Sequence, residues 1–460
     1  MARRPAAGRR LKTDRAAGRA MGGMDWGQAL ALMVGGLALL LALGVPVAVA
    51  FFGINLVGAW IFLGGDSGLM QMTRNAVTSI TNFSLAPIPL FVLMGEVLLH
   101  CGVAFRAIDA IERVITRVPG RLPVVTVAGG TVFAALSGST IANTAMLGRS
   151  LLPEMLRRGY HPTLAMGPIM ATGGIAMLIP PSALAVLVGS LAGISISRLL
   201  VAGILPALLM ATLFFGYIVL RAKLRPQDAP PEDEVPMPAR ERWRPFLVYV
   251  LPLSGILLVV VGSLLAGIAT PTESAALGVI ASVLAAAAYR SLTARALATA
   301  LRETAKTSVM ILFIILASST FSQILSFSGA TGGLVGSVTA LGADRSAVVL
   351  GMMLVLLLLG CFVDQVSMVM ITVPLFVPLA HAAGVDLLWL GVIYLLTMEI
   401  SFLTPPFGLL LFVMQGIAPV GTRIGTIYRA AFPFLVLELT VLGLLLAFPA
   451  LGLWLPSLMP

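Results

Sequence analysis

Residues 123–158 read PVVTVAGGTVFAALSGSTIANTAMLGRSLLPEMLRR, an apolar run with Arg117 and Arg121 at its entrance and Arg157 and Arg158 at its close. Basic flanks mark the cytoplasmic side of a membrane segment, so both ends of this run face the same compartment. The chain goes in and comes back. Its midpoint is Ser137-Gly138-Ser139-Thr140. Each arm, of about 14 to 18 residues, reaches only ~21–27 Å at the helical rise, short of the ~30 Å hydrocarbon core. The run is therefore predicted to be a re-entrant helical hairpin.

Moving outward, the run has a partner 225 residues later. At that offset Pro46 meets Pro271, Gly53 meets Gly278, Pro153 meets Pro378, Gly159 meets Gly384, and Pro180-Pro181 meets Pro405-Pro406, without a gap. The protein reads as one unit written twice. The second hairpin, 346–383, turns at Val363-Asp364-Gln365, with Asp364 at the position of Ser139. In the first unit, apolar runs fall at 28–44, 46–64, 85–103, 162–190 and 198–221 besides the hairpin. Five crossings are an odd number, so the second copy is inverted. Its hairpin enters from the outside, where Arg345 alone marks the end, and the two tips meet near the midplane. The expected fold is an all-α polytopic membrane protein of two inverted repeats, each with a re-entrant hairpin and a broken transmembrane helix.

The expected layout is a basic tail over 1–27, a first repeat over 28–221, a cytoplasmic linker over 222–245 and a second repeat over 246–460. The linker is charged and Pro-rich, with Pro226, Pro230, Pro231, Glu232, Asp233 and Glu234. Segments 104–121 and 291–306 mix apolar and charged residues at helical spacing, as interfacial arm helices or ordinary surface helices do. The tail conflicts with the inversion. Inversion puts the N-terminus outside, whereas Arg3, Arg4, Arg9, Arg10, Lys12, Arg15 and Arg19 argue for inside. The repeat uses the whole chain and carries more weight, and Met21 or Met24 is an alternative start.

Composition excludes a soluble protein. Hydrophobic residues make up 59% of the 460 and charged residues 10%, with mean hydropathy +1.03. The net charge of +10 sits in clusters between apolar runs, which reports orientation and not a nucleic-acid surface. Cys101 and Cys361 form no CxxC motif, and His100, His161 and His381 are scattered, so no transition-metal site is expected. The chain carries no HExxH, GxSxG or P-loop motif. It is read as a non-enzyme that hydrolyses no ATP.

Broken helices survive at membrane depth only where something satisfies their freed carbonyls and amides. Half-helix C-termini suit a hard cation, and half-helix N-termini suit a carboxylate. Four breaks are candidates: the two hairpin tips, Gly173-Gly174 through Pro180-Pro181-Ser182, and Thr404-Pro405-Pro406 with Gly408. Sodium is the expected coupling ion, with no other cofactor. The candidate cation residues are Ser137, Gly138, Ser139, Thr140, Asn143 and Gly174 in one copy, and Asp364, Ser367 and Thr404 in the other. Candidate substrate contacts are Ser139, Pro181, Ser182, Gln365, Pro406 and Gly408. Asp364, the acid at the second tip, is costly at that depth and points to a cation role, alongside the alternative of capping its helix. Glu96 and Glu273 read as scaffold residues. Glu399, five residues before Thr404, stays open between scaffold and site.

Phe133-Ala134-Ala135-Leu136-Ser137-Gly138-Ser139, Gly148 through Pro153-Glu154-Met155 to Gly159-Tyr160, Ile179-Pro180-Pro181-Ser182, Gly267 through Thr270-Pro271-Thr272-Glu273, and Thr404-Pro405-Pro406-Phe407-Gly408 carry a family resemblance. From about residue 28 to the C-terminus the chain resembles the large membrane subunit of tripartite ATP-independent periplasmic (TRAP) transporters. The resemblance implies an elevator-type, sodium-driven symporter of the bacterial inner membrane. It also implies a small four-helix membrane subunit, a periplasmic substrate-binding protein, and an organic-acid substrate such as a C4-dicarboxylate or sialic acid. Gln365 and Ser367 depart from the family pattern after the second tip, and the basic tail departs from it as well. The rival reading is a binding-protein-independent dicarboxylate or citrate symporter of related fold.

Overall fold

The computed structural model describes residues 24–81, 83–230 and 237–459, and the side chains of Ile80, Leu136 and Ser137 lie outside the description. The basic tail from Arg3 to Arg19, and Pro231, Glu232, Asp233 and Glu234 of the linker, fall outside the described residues. Among those described, regular structure is helical throughout. Seven helices are long and apolar enough to cross a membrane, or eight if a bent pair forms one span.

The first hairpin is α1 (Arg121–Ser137) and α2 (Thr140–Arg157), turning at Gly138 and Ser139. It is followed by α3 (Pro162–Leu178) and α4 (Ala183–Ala192), which bend by 42° at the double proline. The second hairpin is α5 (Arg345–Leu359) and α6 (Gln365–Ala382), followed by α7 (Leu387–Leu403), α8 (Leu409–Ile417) and α9 (Ile424–Ala447). The starts and ends of α2 and α6, and those of α3 and α7, are each 225 residues apart. Proline accounts for the breaks: it removes an amide and clashes with the preceding turn, so neither α3 nor α7 runs through its Pro-Pro pair. Both pairs contain a cis bond.

One pair of segments differs between the halves. Asp66–Ile80 and Pro87–His100 are separate helices, whereas the later stretch is one 34-residue helix, Ala294–Phe327. Pro87 and Pro89 break the first, and Leu312 and Ile314 stand at the corresponding places of the second, which holds no Pro or Gly. Segment 291–306 is thus not a helix of its own but the entry to this long one. Segment 104–121 does yield a short amphipathic helix, Val103–Val114, burying Val103, Ala107, Ile108 and Ile111. Arg121 closes its end, donating to the carbonyls of Ile115 at 2.8 Å and Glu112 at 3.0 Å.

The chain forms two compact units, each drawing on both halves of the sequence. One comprises Met1–Phe83, Val309–Met352 and Val366–Asp386. Its interior holds the edge-to-face pair Phe51–Phe321, with centroids 5.2 Å apart, and Ser79 and Ser319 hydroxyls 2.6 Å apart. The other comprises Ser84–Ser308, Met353–Gln365 and Leu387–Pro460, and has α3 at its centre. Every residue of α3 from Thr163 to Leu178 is buried, as is every residue of α7 from Trp389 to Leu403. A helix apolar all round belongs inside a bundle, and α3 packs against α1, α2, α7 and α9. The start of the linker folds back onto this unit. Arg221 pairs with Asp228 at 2.9 Å, and the Asp228 carbonyl accepts from the His161 amide at 3.0 Å.

Candidate functional site

The first tip rests directly on the first break. Gly138 is left-handed (φ +58°), and a Cβ there would stand 2.7 Å from the Pro181 carbonyl oxygen. Only glycine admits both that backbone and that approach. On either side a serine starts the next helix: Ser139 Oγ accepts from the Ala142 amide at 3.3 Å, and Ser182 Oγ from the Ala185 amide at 3.2 Å. Both hydroxyls act as N-caps. Residues 179–182 are buried, so the carbonyls freed by the break sit away from bulk solvent.

Behind the tip lies a set of buried oxygens. Asn143 donates to the carbonyls of Gly130 (3.3 Å) and Thr172 (3.0 Å), which ties α2 to α1 and α3, while its Oδ1 has no hydrogen-bond partner. Thr144 Oγ1 is likewise buried and unpartnered, beside Gly173. Thr140 donates to Glu399 Oε2 at 3.2 Å, and Glu399 Oε1 accepts nothing. Gly174 makes room for that acid: a Cβ there would stand 2.6 Å from Glu399 Cγ. Glu399 is fully buried on α7, and its hydrogen bond from Thr140 brings it to the residue that begins α2 after the first tip.

The second tip and second break also meet. The rings of Phe362 and Phe407 lie 5.5 Å apart, both exposed, and the Tyr428 hydroxyl donates to the Pro406 carbonyl at 2.7 Å. Thr404 Oγ1 donates to the Ile400 carbonyl at 2.7 Å, which leaves its lone pairs available. Asp364 is half-buried, and Gln365 Nε2 is buried without a partner. Ser367, proposed beside Asp364, belongs to the other compact unit. Elsewhere, Glu273 forms a capping box with Thr270, accepting from its amide at 2.8 Å, and Glu96 lies 3.1 Å from His100 on its own helix. Both serve their own helices.

Two site residues escaped the sequence reading. Thr144 follows Thr140 by one helical turn and so lies on the same face of α2. Glu438 is the sole charge among the apolar residues 430–447, a signal that was present in the sequence. It is fully buried on α9, and neither carboxylate oxygen has a partner.

Buried helices that break at double prolines beside a hairpin tip define a polytopic membrane protein with discontinuous helices. The family model described as "Tripartite ATP-independent periplasmic transporter, DctM component" matches residues 34–451. The chain belongs to this family and is a large permease subunit, a multi-pass protein of the inner membrane. It is 31% identical to the C4-dicarboxylate TRAP transporter large permease protein DctM of Pseudomonas aeruginosa over 401 residues, 86% of this chain and 92% of that one. It is 32% identical to a putative TRAP transporter large permease protein of Haemophilus influenzae over 378 residues, 82% and 92% of the two chains. The fold is also similar to the crystal structure of the Alcanivorax borkumensis YdaH transporter, with TM-score 0.62 at 16% identity over 86% of this chain and 91% of that one.

Proposed function

We propose that this permease carries an organic acid into the cell by sodium-coupled symport, receiving it from a periplasmic binding protein and working with a small membrane subunit. The two halves are inverted repeats, their hairpins enter from opposite sides, and transport is an elevator movement. The observation that carries this reading is the first tip seated on the first break, with unpartnered buried oxygens behind it. The available donors there are all oxygens, and a hard monovalent cation suits such a set. Ser137, Gly138, Ser139, Thr140, Asn143 and Gly174 form one cation region, and Asp364, Ser367 and Thr404 the other. The substrate carboxylate lies between the breaks, near Ser139, Pro181, Ser182, Gln365, Pro406 and Gly408. Half-helix N-termini at α4 and α8 present amides to it.

Thermal unfolding of the purified permease in sodium against choline, at equal ionic strength, tests the coupling ion without knowledge of the substrate. A ligand of the folded state at a hundredfold excess over Kd stabilises by about 2.7 kcal/mol. A sodium-specific rise that is lost in Asp364→Asn is expected. Equal stability in both salts, with a folded protein, overturns sodium coupling.

A further inference from the structure

The helical span Ala239–Leu265 is 27 residues long, more than a bilayer core needs. Residues 246–265 hold no charged side chain, and at ~1.5 Å each they fill the ~30 Å of hydrocarbon. The residues before them, Ala239–Pro245, therefore stand about 10 Å further out, at the level of the phospholipid headgroups. They read ARERWRP, three arginines around a tryptophan, and both residue types gather at a membrane interface.

Arg242 fastens this turn to the helix Val103–Val114. Its guanidinium donates to the Val114 carbonyl at 2.8 Å and to the Thr116 hydroxyl at 2.5 Å. Further on, the Arg106 guanidinium lies over the Tyr249 ring, 5.7 Å from its centroid, so the two segments run antiparallel. With Arg242 committed inward, Arg240 and Arg244 are left exposed on the other side, one turn apart. The exposed side continues down the span through Leu247, Val248 and Leu251. Trp243 is exposed between the two arginines and packs edge-on against Phe246. The outer side of this span is thus a pair of cations heading an apolar stripe.

Neither Arg240 nor Arg244 has an ion-pair partner among the described residues. Arg113, exposed beside Val114, adds a further positive charge at the same end. Of the acids nearby, Glu241 and Asp109 are exposed, and Glu112 is taken by Arg121 and Arg158. Guanidinium groups match a phosphate in charge and geometry. A free phosphate would leave the stripe below unused, whereas a phospholipid uses both parts.

We propose that the outer side of Ala239–Leu265 is a binding site for an anionic phospholipid. Its phosphodiester sits on Arg240 and Arg244, its glycerol region beside Trp243, and its acyl chains along Leu247 and Leu251. A lipid held there pins the end of this span, and with it the helix Val103–Val114, at the bilayer surface.

Tryptophan fluorescence of the full-length permease in vesicles tests the site. A nitroxide label near the top of an acyl chain quenches a tryptophan that the chain touches, and the component lost in Trp243→Phe reports this position. Mixed vesicles of phosphatidylcholine and phosphatidylglycerol, with one lipid labelled at a time, give their relative affinity there. Each arginine at an anionic surface contributes roughly fivefold. A phosphatidylglycerol preference of at least about fivefold is therefore expected in wild type, a smaller one in Arg240→Gln or Arg244→Gln, and none in the double variant. Both side chains are exposed, so these variants are expected to fold, and if the double variant does not, the single ones decide. Equal quenching by the two lipids, or a preference that survives both substitutions, overturns the proposal. So does an equal loss in Arg429→Gln, exposed on α9, which would make the effect one of overall charge. Displacement of the labelled lipid by inorganic phosphate at matching concentration would make the occupant a free phosphate and also overturns it.

Discussion

Positions 174 and 399 are equivalent under the 225-residue offset, yet one is glycine, the other is glutamate, and they touch each other across the bundle. The two breaks differ in the same spirit. Residues 179–182 are buried and lie under the first tip, while Pro406 and Phe407 are exposed and meet Phe362 of the second. The two halves thus differ in what they bring: the first provides Gly174 and the capping hydroxyls of Ser139 and Ser182, the second provides Glu399 and Glu438. The breakers set where helices start and stop, but the environment of each break comes from its neighbours.

The largest effect on this contrast is expected at Gly138. Alanine there takes on a left-handed backbone and a contact with the Pro181 carbonyl, costing roughly 2–4 kcal/mol and abolishing transport. Denaturant unfolding in detergent, with uptake into proteoliposomes, checks both. A tolerated Gly138→Ala would mean the first tip is not seated as described. Asp364→Asn, at the second tip, is expected to leave stability in choline unchanged while eliminating sodium-coupled uptake. If it instead unfolds the protein, Asp364 is a cap and not a ligand.

Gly174→Ala tests the cross-copy contact. The added methyl displaces the Glu399 side chain at a cost of about 1–3 kcal/mol, and thermal unfolding should show the loss recovered in part by a second change, Glu399→Ala. Independent, additive effects would refute the contact. Next comes the cap at Ser182, whose equivalent in the second copy is Phe407. Ser182→Ala is expected to cost about 1 kcal/mol. Phe407→Ala at the exposed break should stay within about 0.5 kcal/mol, and equal losses would erase the buried-against-exposed distinction.

The smallest effect belongs to the C-terminal end of the first hairpin, where Glu154 bonds Arg157 and Arg158 and the residue at the 225-residue offset is Leu379. Those guanidinium hydrogen bonds hold the Glu154 carboxyl below its ordinary range. Its contribution is therefore present above about pH 4.3, the unfolded value, and is lost as pH falls through the lower folded value. Solvent screening limits it to less than about 1 kcal/mol. The stability gap between wild type and Glu154→Gln, followed by melting temperature, should be flat at neutral pH and close in acid. A gap that widens in acid contradicts the assignment.

Much of the first hairpin was legible in residues 123–158, because basic flanks and a Ser-Gly-Ser-Thr midpoint are local signals. The double prolines were equally legible, since proline breaks a helix whatever surrounds it. Segment 291–306 was legible as helical, but not where its helix ends: with no breaker before Phe327, it runs on as one 34-residue helix. Glu438 was visible as a lone acid in an apolar stretch, but that its carboxylate is fully buried depends on the helices packed around α9.

By itself the sequence determined the membrane-embedded class, the 225-residue offset, the positions of the breaks and the family motifs, because composition and backbone restrictions act locally. Only the tertiary structure decided that Gly138 seats on Pro181, that the hydroxyls of Ser139 and Ser182 serve as caps, and that Glu399 turns to the first tip. It also decided that the carboxyls of Glu399 and Glu438 are fully buried. These depend on which helices meet and at what height, and such long-range contacts leave no periodic trace along the chain.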